Sequence, residues 1–185
     1  MKIGLFNPFT YIAGLKALVI GFIFMAITLV ASFYSSTHFD GAIDAHIGLQ
    51  APLSMFALEQ LIAWGCVVLI FFIAGLILSK SKFRFIDIAG TVALSRAPML
   101  LVAIIGFIPL LHNIQPGHIS NAVIAVGIIV LLPVIWMIAL LFNGFIISVN
   151  VKGTKAIIGF IIALILAEIL SVSLNHLIQS FFFFK

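Results

Sequence analysis

The amino-acid sequence predicts an all-α integral membrane protein, a bundle of five transmembrane helices with the N-terminus cytoplasmic and the C-terminus outside. Three observations predict it. The chain is 64% hydrophobic and only 8% charged, whereas a soluble domain is roughly half apolar and a quarter charged, and its mean hydropathy is +1.39. Apolar runs occupy about 12–37, 54–79, 87–111, 119–148 and 156–183, each long enough to cross about 30 Å of hydrocarbon as a helix. If the N-terminus is inside, Lys2, Lys16, Lys80, Lys82, Arg84, Lys152 and Lys155 all fall on the inner side and only Lys185 on the outer, as the positive-inside bias requires. Alternating segments of about 10 residues that would build a β-barrel are not visible.

Five spans in 185 residues leave no room for a separate soluble domain of about 50 residues or more, so 1–185 reads as one transmembrane domain. The first span resembles a secretory signal at its start. Lys16 interrupts the apolar run, however, and no A-x-A pattern closes it, so it reads as a retained helix. Ahead of it, Asn7 and Pro8 suit an N-cap and first helical position, and Phe6, Phe9 and Tyr11 suit the inner interface. The second span holds Cys66, the single cysteine, which has no disulfide or thiolate-metal partner and reads as a small buried hydrophobe. The third carries Arg96, with Pro98 two residues on. The fourth contains Pro133, a site for a kink or tilt. The fifth ends in "SFFFFK", an aromatic anchor for the outer surface. "AIIGFI" occurs at 103–108 and again at 156–161, but at different depths in the two spans, so it marks no internal repeat.

Arg96 lies about 13 Å and Glu168 about 18 Å from the inner ends of the third and fifth spans. A lone charge at such depth costs from about 3 to over 10 kcal/mol, so these two groups are expected to pair, directly or through water. Ala89, Ala93 and Ala97 beside Arg96, and Gly159, Ala163, Ala167 and Ser171 beside Glu168, recur every four residues, a pattern that lets helices approach closely. The third and fifth helices are therefore expected to pack together, the charge pair locking their register or serving as an internal gate. Ser95 and Asn143 are expected to bond to nearby backbone carbonyls.

All five histidines fall near the outer face: His38 and His46 in the first outer loop, His112 and His118 in the second, and His176 late in the fifth span. Asp40, Asp44 and Glu59 accompany them, and Glu59 and His176 match in depth. Imidazole and carboxylate together suit zinc or a related divalent ion, and imidazole also suits pH sensing. No established zinc spacing such as H-E-x-x-H is present. The nucleotide-binding and hydrolase motifs G-x-x-x-x-G-K-[ST], G-x-G-x-x-G and G-x-S-x-G are absent too. Ser173 and His176 lack a positioned third member, so no catalytic residue and no resident cofactor are expected. The net charge of +4 is scattered over loops without a basic run, which excludes a nucleic-acid interface.

The opening "LFNPFTYIAG", the third-span "FIDIAGTVALSRAPMLL" and the later "WMIALLFNGFIISVNVKGTKAIIGF" resemble the YIP family, membrane proteins first known as interactors of Ypt/Rab GTPases. Trp136, Gly144 and the turn from Lys152 to Ala156 carry the closest likeness, which covers nearly the whole chain. Eukaryotic members are similar to one another in a longer cytosolic region with an Asp-Leu-Tyr-Gly-Pro motif; this chain has neither, so Rab-type GTPase binding is not expected. The compact form resembles the prokaryotic branch, which implies the bacterial inner membrane, the alternative being the eukaryotic ER or Golgi. The resemblance implies a non-enzymatic protein acting in membrane organisation or trafficking through helix or lipid contacts, with lipids and further copies of itself as partners. The alternative is a small ion or divalent-metal transporter using the outer His/Asp group and the Arg96/Glu168 element.

Overall fold

A computed structural model describes residues 4–112 and 120–183. Lys2, Lys185, His118 and the side chains of the terminal aromatic run fall outside the described residues or side chains. A 3₁₀ turn at Pro8–Thr10 leads into α1 (Gly14–Ser35), followed by α2 (Leu53–Leu78), α3 (Phe85–Ser95), α4 (Met99–Ile105), α5 (Asn121–Val149) and α6 (Thr154–Phe183). Among the described residues, five helices are long and apolar enough to cross a membrane, with α3 and α4 together forming the third. Because successive spans alternate in direction, Lys16, Lys80, Lys82, Arg84, Lys152 and Lys155 gather at one end, the basic end.

The third span is not the continuous helix that 87–111 suggests. Pro98 has no N–H to give the Leu94 carbonyl, and its ring would crowd that oxygen. The Leu94 carbonyl accepts instead from Ala97 N at 3.1 Å, and Met99 N reaches the Arg96 carbonyl at 2.9 Å. The tightened turn separates α3 from α4 and sets Arg96 at the break. By contrast, α5 runs unbroken through Pro133.

The expected pairing of the third and fifth spans is corrected. α3 packs along α1 and against α5, whereas α6 packs along α2. Both small-residue stripes are used, but on different partners. On α1, a Cβ at Gly21 would lie 2.5 Å from the backbone of Ala93 and Leu94, so only glycine permits this approach to α3. On α6, Ala163 and Ala167 are buried, and Gly159 lies against Leu78 of α2. Depth along a span is readable from sequence; the direction in which a helix face points is not.

Polar groups tie the remaining contacts. The Thr91 and Ser148 hydroxyls lie 3.0 Å apart across α3 and α5, and both bond to the Asp87 carbonyl. Trp64 of α2 donates to the Ala89 carbonyl of α3 at 3.1 Å. Ser95 donates to the Thr91 carbonyl, and Asn143 to the Ala139 and Phe6 carbonyls, as expected of both. Trp136 donates to the Leu5 carbonyl, which lashes the segment before α1 to α5. Phe9 of that segment is buried, while Phe6 and Tyr11 are exposed. The core between α2, α5 and α6 centres on Phe71, Phe145 and Phe160, whose ring centroids lie 4.9 to 6.1 Å apart. Cys66 is buried and free.

Candidate functional site

The connection from α1 to α2 does not stay outside the bundle. It forms a two-stranded antiparallel hairpin, β1 (Thr37–His38) against β2 (His46–Ile47), and the turn between the strands carries Phe39 and Ala42 into the main apolar core, where both are essentially inaccessible. Irregular backbone at such a position needs partners, because each buried N–H or C=O left unpaired is costly. The partners come from α3 and α6. Arg96 Nη1 donates to the Ala42 carbonyl at 3.1 Å, and Glu168 Oε2 accepts from Ile43 N at 2.9 Å. Ser171 Oγ accepts from Ala42 N at 2.9 Å while donating to the Glu168 carbonyl at 3.0 Å. Asn175 Nδ2 donates to the Asp40 carbonyl at 2.6 Å. A side chain at Gly41 would strike the Glu168 carboxylate, so glycine there lets the loop seat.

Arg96 and Glu168 are thus brought to the same place without forming an ion pair. The loop backbone, bonded to both, joins them. Arg96 is 4% exposed. The Ser171 and Asn175 contributions escape sequence reading, since they bond to a segment more than a hundred residues away.

Beside the loop, His38 is locked. Its Nδ1 lies 2.8 Å from Glu59 Oε1 and its Nε2 2.9 Å from the Leu49 carbonyl, and its ring stacks on Phe56 with centroids 4.4 Å apart. Both ring nitrogens face oxygens that can accept, an arrangement that suits the imidazolium form. Burial opposes that charge. The Glu59 carboxylate outweighs it, helped by the Leu49 carbonyl, and the His38 pKa lies above the ordinary imidazole value. Glu59 therefore engages His38, not His176.

His46 also stacks with His38, ring centroids 5.4 Å apart, and its Nδ1 lies 3.3 Å from Asp40 Oδ1. The Asp40 contact, against partial burial and with help from Asp44 and Glu59, raises the His46 pKa. Burial pushes the Asp40 pKa upward, but the two imidazoles overcome it and the net direction is downward. Asp40, Asp44 and His46 bring one ligand atom each to within 4.8 Å of one another. The other outer residues stand apart: His112 bonds to the Gly106 carbonyl at 2.8 Å, His176 is exposed on α6, and His118 lies outside the described residues. The expected eight-residue group resolves into one buried His38–Glu59 pair and one Asp40–Asp44–His46 cluster.

No curated protein and no solved structure matches the chain. The Yip1 domain matches residues 7–174, nearly the whole length, from the turn before α1 to the part of α6 that carries Glu168 and Ser171. With five apolar spans and this match over most of its length, the chain is a multi-pass membrane protein that belongs to the Yip1 domain family.

Proposed function

We propose that this protein is a non-enzymatic organiser of its membrane, acting through helix and lipid contacts in membrane shaping or trafficking, with the basic end cytoplasmic, as in a bacterial inner membrane. One observation carries the reading: Arg96, Glu168 and Asn175, which reach into the bundle from the third span and α6, are engaged in seating the loop. Arg96 and Glu168 hold the Ala42 and Ile43 backbone, and Asn175 holds Asp40. A permeation path needs polar groups free to replace an ion's water; here they meet backbone. What faces outward is apolar, with Ile124, Ile128, Ile129, Leu132 and Ile135 of α5 all exposed, a surface for acyl chains or for a second copy.

Reconstitution into liposomes tests it. Vesicles carrying the protein are expected to hold proton and divalent-cation gradients as well as empty vesicles do, and to change in size or curvature by electron cryomicroscopy as protein density rises. A cation flux abolished by Arg96→Ala would overturn the reading in favour of a transporter.

A further inference from the structure

We propose that Asp40, Asp44 and His46 form a binding site for a divalent transition-metal ion of the zinc type, at the mouth of the re-entrant loop. The three residues offer two carboxylates and an imidazole whose ligand atoms lie within 4.8 Å of one another. The second observation concerns Asp40 alone. Its residue is 8% exposed, and its buried Oδ1 has no hydrogen-bond partner outside the cluster, although a buried carboxylate oxygen normally accepts at least one. That atom faces His46 Nδ1 at 3.3 Å, a separation that suits two ligands on one tetrahedral ion, because bonds of about 2.0–2.1 Å at tetrahedral angles place neighbouring ligand atoms about 3.3 Å apart.

The loop holds the donors in place before any ion arrives. The Asp40 backbone is clamped by Asn175 at 2.6 Å. Asp44 folds back over Gly41, where a side chain would fall 2.7 Å from the Asp44 Cβ. His46 is fixed in β2 and stacked on His38. The positive charge of His38 is already matched by Glu59 at 2.8 Å, so two aspartates remain to balance a dication. The donor set also selects. Calcium takes six to eight oxygen ligands, more than this cluster provides, whereas three mixed N/O ligands with an open position suit zinc. Asp44 and His46 are exposed, so an ion reaches the site without passing through the bundle.

Calorimetric titration of tag-free, chelator-treated protein in detergent tests the site, using zinc chloride with calcium and magnesium chloride as comparisons. One zinc per chain is expected, with little calcium or magnesium binding. Asp40→Asn, Asp44→Asn and His46→Ala should each weaken zinc at least about tenfold, since even outer-shell partners of metal ligands cost that much, while His176→Ala should bind as the parent does. Asp44 is exposed, so its variant reads out the site without disturbing the seated loop, and circular dichroism checks the fold of the others. No saturable zinc binding at millimolar concentration, equal binding of calcium, or a loss that follows His112→Ala or His176→Ala but not Asp44→Asn would overturn the proposal.

Discussion

Replacing Arg96 by methionine asks whether the loop is held as described. Methionine keeps much of the length and none of the charge. The Ala42 carbonyl, bonded to Arg96 at 3.1 Å, would lose its donor in a dry site, at a cost of about 1–3 kcal/mol. Glu168 would lose the opposite charge across the loop, but it is only part-buried and makes no ion pair with Arg96, so this loss adds about 1 kcal/mol or less. A destabilisation of about 1–4 kcal/mol is expected. Glu168→Gln still offers Ile43 N an acceptor and should cost less, about 1–3 kcal/mol. The double variant should cost less than the sum by about 1 kcal/mol, since it leaves no charge stranded. Denaturant titration in mixed micelles, followed by circular dichroism, supplies these values. Hydrogen exchange localises the effect: opening of the loop by about 3 kcal/mol corresponds to more than a hundredfold faster exchange at Ala42 and Ile43. Strict additivity together with unchanged exchange at those two amides would refute the bridging role of the loop.

Three further outcomes are expected. Gly21→Val should destabilise by about 1–3 kcal/mol through overpacking, because its Cβ would meet Ala93 and Leu94 backbone rather than a flexible side chain; stability equal to that of the parent in the same titration would contradict the close α1–α3 crossing. Glu59→Ala strips the buried His38 of its counter-charge and should cost about 3–5 kcal/mol, with Glu59→Gln milder because an acceptor for Nδ1 remains; equal losses would mean that a neutral acceptor at Nδ1 contributes nothing once the charge is gone. Trp136→Phe keeps an aromatic ring but loses the bond to the Leu5 carbonyl, and should speed proteolysis before Pro8 at a global cost of only about 1 kcal/mol, as limited digestion would record.

The spans were legible because length and apolarity are properties of a segment by itself: 54–79 against Leu53–Leu78 for α2 needs no knowledge of neighbours. The break in the third span had its signal in Pro98, whose ring cannot donate to the carbonyl four residues back, although the apolar run around it is continuous. The levels of Arg96 and Glu168 were also legible, from rise per residue alone. What stood between them was not. "HFDGAIDAH" reads as a polar outer loop because its Asp and His residues dominate the eye, yet Phe39, Ala42 and Ile43 carried the opposite message, as apolar side chains in a supposedly wetted turn. Whether such a turn sinks or floats is decided by Ser171 and Asn175, distant residues whose side chains look like ordinary helix polars until the loop arrives.

The distance along the chain has a consequence for biogenesis. Ile43 and its acceptor Glu168 are separated by 125 residues, so at a synthesis rate of about 5–20 residues per second the turn waits roughly 6–25 s before the first of its α6 clamps is made. By the end of that interval the nascent protein has made four hydrophobic crossings around a loop still without its α6 clamps. The final helix is therefore the latch, and any chain cut short ahead of Glu168 would leave a bundle with its keystone unset.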